Sequence, residues 1–139
     1  MNTTVYAFLA KTIYLAMAQT SSRTIGKNAE DLACDYLERQ GLKFVSANYQ
    51  CKCGEIDLIM WDVATLVFVE VRHRKVRDYG DGVASVTKIK QRKIIRTATY
   101  YLQANNLLDK ILCRFDVIAT SGEADGEVLW IKDAFWAKW

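Results

Sequence analysis

Two short stretches decide how this chain is read: Gly54-Glu55-Ile56-Asp57-Leu58-Ile59-Met60-Trp61, and, after a brief turn, Thr65-Leu66-Val67-Phe68-Val69-Glu70-Val71-Arg72-His73. Both are rich in β-branched and aromatic residues and are bounded by polar or glycine-containing turns, which predicts two neighbouring strands. Each carries a carboxylate inside a run that otherwise reads as buried: Asp57 between Ile56 and Leu58, and Glu70 between Val69 and Val71. An ionised carboxylate without a partner in such a place costs several kcal/mol, roughly, even after relaxation. The two therefore call for a cation, an arginine or water. Strand alternation puts Glu55, Asp57 and Ile59 on one face and Phe68, Glu70 and Arg72 on one face of the neighbour. On adjacent strands, Asp57 and Glu70 bring together the hard oxygen ligands that suit Mg²⁺ or Mn²⁺. The alternative is structural: Glu70 pairs with Arg72 or another base, and Asp57 bonds to backbone donors.

Outward from this pair, apolar residues at Ile25, Ala29, Leu32, Ala33, Tyr36 and Leu37 give a helix from Thr24 that ends at Gly41, with Glu30 near the edge of its apolar face. Leu42 to Tyr49 reads as the first strand. After the third strand, Val76 to Ser85 contains Gly80 and Gly82 and has no sustained period, so it reads as a loop. Val86 to Asn105 returns to helical spacing, with Val86, Ile89, Ile94, Ala98, Tyr101 and Leu102 inward and Lys88, Arg92, Lys93 and Arg96 largely outward. Arg114 to Thr120 and Glu127 to Ile131 complete the chain as strands, and Ala134-Phe135-Trp136 is expected to dock. The expected order is α-β-β-β-α-β-β in one α/β domain over residues 22–139, since 139 residues leave no room for a second core.

The formal charge of +3 is too small to identify a partner, but its distribution is informative. Between Arg72 and Arg96 stand nine of the nineteen basic residues against only Asp78 and Asp81, so this window carries +7 and the remainder −4. Arg74, Lys75, Arg77, Lys88, Lys90, Gln91, Arg92 and Lys93 are the candidate nucleic-acid contacts, chiefly to phosphates. A solvated helix face is the plainer reading of the same charges. Tyr79 is placed either to stack on an unpaired base or to anchor its own loop. His73, on the other strand face from Arg72, reads as a structural or phosphate-contacting residue.

Four cysteines, Cys34, Cys51, Cys53 and Cys113, accompany enough apolar residues for a core, so reduced thiols and a cytoplasmic setting are expected rather than a disulfide-stapled scaffold. Cys51-Lys52-Cys53 lacks the two-residue spacer of a zinc knuckle, and His73 is the single histidine. Residues 1–21 are apolar from Val5 to Ala18 but lack a basic leader segment and are interrupted by Lys11. They are expected to be an accessory helix or an extension upstream of a start at Met17. The apolar run from Val5 to Ala18 is too short for a membrane-spanning helix.

Taken together, Gly54-Glu55-Ile56-Asp57-Leu58-Ile59 and Val67-Phe68-Val69-Glu70-Val71-Arg72 resemble the YraN-like family, itself similar to Holliday-junction resolvases and the PD-(D/E)xK nuclease superfamily. Gly26 to Glu30, Lys90-Gln91 and Arg114-Phe115-Asp116-Val117 match further landmarks, and the resemblance runs from about Ser22 to the C-terminus. It implies a restriction-endonuclease-like mixed sheet flanked by helices, Asp57 and Glu70 as metal ligands, and Glu30 as a third acidic contributor. Arg72 stands at the lysine position, where it stays protonated and stabilises phosphate but cannot act as a base. The implied function is Mg²⁺- or Mn²⁺-dependent phosphodiester hydrolysis in DNA, branched or single-stranded. A homodimer would match a two-fold symmetric junction. The rival readings are a catalytically silent nucleic-acid-binding module and a protein-interaction domain that uses the aromatic C-terminal segment.

Overall fold

A computed structural model describes residues 24–73, 86–121 and 126–137, the side chains of residues 24–27 apart. The expectations for residues 1–21, for the loop with Tyr79, and for Arg74, Lys75 and Arg77 lie outside these residues. The elements follow the expected order: α1 (Thr24–Arg39), β1 (Lys43–Cys51), β2 (Gly54–Asp62), β3 (Thr65–His73), α2 (Lys88–Ala104), β4 (Leu112–Thr120) and β5 (Val128–Phe135). The strands form one sheet in the order β1-β2-β3-β4-β5. β1, β2 and β3 are an antiparallel meander, β3 and β4 are parallel with α2 as the crossover, and β5 returns antiparallel to β4. This is a mixed α/β fold.

Strand alternation sorts the core into two layers. Leu58, Met60, Val67, Val69 and Ile118 pack with Ala33, Cys34 and Leu37 of α1, whereas Ile59, Leu66, Phe68, Phe115 and Val117 pack with Ile94, Ala98 and Leu102 of α2. The helices therefore cover opposite faces of the sheet. On the α2 side the rings of Phe68, Phe115 and Phe135 stack in sequence, with centroids 5.5 and 5.0 Å apart. β5 thus runs further than its sequence pattern indicates, because Phe135 completes this stack. Trp136 beyond it is 78% exposed, so only part of the aromatic terminus docks. Ile89, expected inward, is 67% exposed; α2 begins beyond the edge of the apolar layer, which leaves its first turn in solvent.

The turn after α1 shows why the chain reverses at Gly41. Gly41 has φ +100°, its N–H donates to Glu38 O at 3.0 Å, and the N–H of Leu42 donates to Leu37 O at 3.0 Å. This is the glycine-terminated helix end in which the last carbonyls are satisfied from beyond the helix, with Leu42 buried below it.

One charged network belongs to the scaffold. Asp116, 0% exposed, accepts hydrogen bonds from Arg114 Nε at 3.0 Å, Trp130 Nε1 at 3.0 Å and the Asp133 N–H at 3.1 Å. Arg114 Nη1 also donates to Asp62 Oδ2 at 2.6 Å. This network ties β2, β4 and β5 together at the far end of β2 from Asp57. Arg114→Ala strands a buried carboxylate, and an expected loss of about 3–5 kcal/mol in chemical denaturation checks this. Adding Asp116→Asn to the same chain recovers part of that loss, because the orphaned charge is gone.

Candidate functional site

The pairing of β2 with β3 runs from Asp62↔Thr65 to Leu58↔Val69 and stops there. The next two residues, Asp57 and Glu70, stand at the point where the ladder ends. Here the main-chain N–H of Val71 donates to Asp57 Oδ2 at 2.8 Å instead of to a carbonyl. The carboxyl group thus takes the place of a backbone acceptor in the fork between two strands.

The expected face assignment of β2 needs correction at this point. Glu55, Asp57 and Ile59 do not share a face: Glu55 is exposed, and Ile56, 1% exposed, joins Ile59 in the layer under α2. Across the ladder, Ala47↔Leu58 belong to the α1 side and Tyr49↔Ile56 to the α2 side, so both strands change face between these pairs. The residues in between are Asp57 and, in the same register, Asn48, whose φ is +51°. A left-handed residue in an extended strand rotates the side chains that follow it, and asparagine tolerates that conformation better than most. The kink releases Asp57 from the alternation and turns it into the fork.

Glu70 keeps the expected side. It follows Phe68 on the α2 face and is 7% exposed, and its Oε1 lies 3.4 Å from Lys90 Nζ. Lys90 is held there by the start of α2: Thr87 caps the helix by accepting from Lys90 N at 3.2 Å, and Gln91 Nε2 donates to Val86 O at 2.8 Å. Gln91 therefore shapes the helix entry. Arg72 is half-buried near the end of β3, and Lys88, Arg92, Lys93 and Arg96 are exposed on α2; His73 is exposed as well. The residue that the sequence pattern undervalued is Lys90. Sequence spacing places it among the phosphate contacts, yet its ammonium meets a carboxylate of the pair, which no spacing within one strand reveals.

The electrostatics of the fork follow from its geometry. Burial, the neighbouring charge of Glu70, that of Glu30 from α1, and a hydrogen bond to Glu70 all favour a protonated Asp57; the Val71 N–H opposes them, and the net effect pushes its pKa up to about 8. Asp57 therefore favours its protonated form at neutral pH, beside the carboxylate of Glu70. Glu30, Asp57, Glu70 and Lys90 thus form one electrostatic unit, drawn from α1, β2, β3 and α2. Among the described residues no three histidine, cysteine or acidic side chains converge on a single ion position. What the fork offers is a pair of carboxylates, the donor set from which a hydrated Mg²⁺ or Mn²⁺ is commonly held when phosphate oxygens and waters complete its sphere.

Because the folded protein retains a proton that an unfolded aspartate releases near pH 4, the Asp57 contribution to stability is full below about pH 4. It is lost as pH rises through about 8. Denaturant titrations across this range are expected to show wild-type stability falling by up to about 1.4 kcal/mol per pH unit from this one proton. The Asp57→Asn variant lacks that component, and an unchanged slope in the variant would contradict the protonation of Asp57.

The sequence profile of the uncharacterised protein family UPF0102 matches residues 29–120, a segment that contains Glu30, Asp57, Glu70, Arg72 and Lys90. A UPF0102 protein of Coxiella burnetii (strain RSA 331 / Henzerling II) is 52% identical over 113 residues, which cover 81% of this chain and 92% of that protein. Another, from Nitrosococcus oceani, is 42% identical over 120 residues, with 86% and 97% covered. A third, from Legionella pneumophila subsp. pneumophila (strain Philadelphia 1), is 46% identical over 110 residues, with 79% and 92% covered. The YraN-like resemblance is borne out by these matches, and the chain belongs to the uncharacterised protein family UPF0102.

Proposed function

We propose that this protein has a restriction-endonuclease-like core that binds nucleic acid, foremost DNA in branched or single-stranded form, and hydrolyses its phosphodiester bonds with a divalent cation held by Asp57 and Glu70. The observation that carries the reading is the placement of Asp57 and Glu70 as neighbours in the fork where the β2–β3 ladder ends. A proton on Asp57 neutralises part of their repulsion, and a dication does the same more completely once that proton leaves. Asp57 and Glu70 would hold the Mg²⁺ or Mn²⁺, which would supply Lewis acidity toward phosphate and activation of water.

The chain's own residues account for the rest. Arg72 provides a permanently charged guanidinium for a phosphate oxygen, and Lys90 places a second cation beside Glu70. Lys88 and Lys90 lie in the first turn of α2, with no acidic residue among them. Cations at that end oppose the helix dipole by about 0.3–1 kcal/mol each at an exposed site, a cost relieved when an anion binds. Lys88, Arg92 and Lys93 extend the positive surface along α2, and Arg74, Lys75 and Arg77 extend it in sequence. A polyanion is thereby drawn toward carboxylates that would otherwise repel it.

A second reading has its own observation. The Lys90–Glu70 ion pair and the Asp57 proton together neutralise the fork without any metal, as a binding module without catalysis would require.

Incubation of the purified protein with linear, single-stranded and four-way-junction DNA in Mg²⁺, Mn²⁺ or EDTA separates the two. Metal-dependent cutting that falls to background in Asp57→Ala and Glu70→Ala is the expected result. Salt-sensitive binding with no cutting under any metal establishes the silent module instead. Neutralising Lys88, Arg92 and Lys93 together is expected to weaken binding to every sequence alike and to reduce the slope of log K against log salt by about 2 to 3. Equal affinity of that triple variant would remove α2 from the interface.

A further inference from the structure

A second cluster of reactive groups lies at the β1–β2 hairpin and is independent of the carboxylate fork. Cys51 ends β1, Gly54 begins β2 and pairs with it, and Lys52 and Cys53 form the turn between them. The N–H of Cys53 donates to Cys51 Sγ at 3.3 Å, so the turn folds back over its own first thiol. Two consecutive peptide units of about 3.8 Å between alpha-carbons, bent in a tight turn, keep Cys51 and Cys53 within the separation of about 4.4–6.8 Å that a disulfide spans. The hairpin also rests directly on α2: a Cβ placed on Gly54, whose φ is +149°, would lie 3.2 Å from Thr97 Oγ1 and 3.7 Å from Lys93 Cβ. The hairpin thus packs on Lys93 and Thr97, with Arg96 near Cys53, Lys52 between the two cysteines, and both cysteines partly exposed.

The geometry points to a reactive dithiol at Cys51 and Cys53 that takes peroxides, hydrogen peroxide or an organic hydroperoxide, as its oxidant. The two sulfurs have unequal roles. Burial alone would raise the Cys51 thiol, but hydrogen bonds from the Cys53 and Gly54 N–H groups and the Cys53 thiol, with the Thr97 hydroxyl beside them, outweigh it and hold Cys51 below the usual thiol value. Cys53 is raised by burial and by its interaction with Cys51, with Arg96 acting in the opposite sense. Cys51 is the attacking thiolate and Cys53 the thiol that resolves it.

The chemistry balances in two steps. The Cys51 thiolate sulfur attacks one peroxide oxygen, the O–O bond breaks, and the leaving oxygen departs as water or an alcohol after taking a proton; Cys51 becomes a sulfenic acid and the peroxide is reduced by two electrons. The Cys53 sulfur then attacks the sulfenic sulfur, an S–S bond forms, the S–O bond breaks, and hydroxide leaves as water with the Cys53 proton. A ring closed across the single residue Lys52 is strained, which makes the disulfide easy to reduce again by an external thiol. A soft metal ion is the weaker match for the same thiols, because among the described residues no third histidine, cysteine or acidic group joins them.

Cys34 and Cys113 serve as internal controls: Cys34 is buried in the α1 layer, and burial pushes the Cys113 thiol up. The full-length protein treated with a small excess of hydrogen peroxide is expected to lose two free thiols and about 2 Da, the mass of two hydrogens. Trypsin cuts after Lys52, so the peptides spanning residues 44–52 and 53–72 are expected to remain joined until a reductant separates them. In the Cys53→Ser variant, a sulfenic acid on Cys51 accumulates and is captured by a dimedone-type reagent, while in Cys51→Ser residue 53 stays reduced. Peptides that separate without reductant overturn the proposal, as does linkage through Cys34 or Cys113. Oxidation of Cys53 at the same rate in the Cys51→Ser variant overturns it as well.

Discussion

Everything distinctive in this molecule depends on a gap in a backbone ladder. β2 and β3 are hydrogen-bonded as far as Leu58↔Val69, and one residue further on a carboxyl oxygen of Asp57 replaces the carbonyl that would have accepted the Val71 N–H. A buried N–H needs a partner, and satisfying it with a side chain is what fixes a polar group inside an apolar sheet. Glu70, directly beyond the last paired residues, then has a carboxyl group for a neighbour. Their repulsion in a poorly solvated place is met by a proton on Asp57 and by the ammonium of Lys90.

The rest of the fold holds that gap open. α1 and α2 cover opposite faces, and each contributes a charge to the fork, Glu30 from one side and Lys90 from the other. The stacked phenylalanines of β3, β4 and β5 fill the layer beneath α2, and the Asp62–Arg114–Asp116–Trp130 network closes the opposite end of the sheet. The polar groups of this network are mutually satisfied, whereas those of the fork are satisfied only by leaving one carboxyl group protonated.

α2 has two roles that are physically connected. Its inner side, Ile94, Ala98 and Leu102, is core, while its basic residues face solvent. Its first turn brings Lys90 to Glu70, and its second and third turns carry Lys93, Arg96 and Thr97 beneath the Cys51–Cys53 hairpin. One helix thus brings a basic side chain to a carboxylate at one point and another to the thiol hairpin at a second.

Local pattern was enough to determine the elements and their order, because hydrophobic period and turn residues are properties of neighbouring residues. The sheet and both helices, the termination at Gly41, and the anomaly of Asp57 and Glu70 inside apolar strands are all legible in this way. Tertiary structure alone decided how Asp57 is oriented. Strict alternation grouped it with Glu55 and Ile59, but a left-handed Asn48 across the ladder breaks that alternation, and no rule confined to β2 registers a backbone dihedral in β1. It likewise decided that Lys90, twenty residues from Glu70, meets it, that Ile89 faces solvent, and that Phe135 extends β5 to finish an aromatic stack. Each of these depends on which elements pack together, and long-range packing energy is set by the whole fold rather than by the sequence around any one residue.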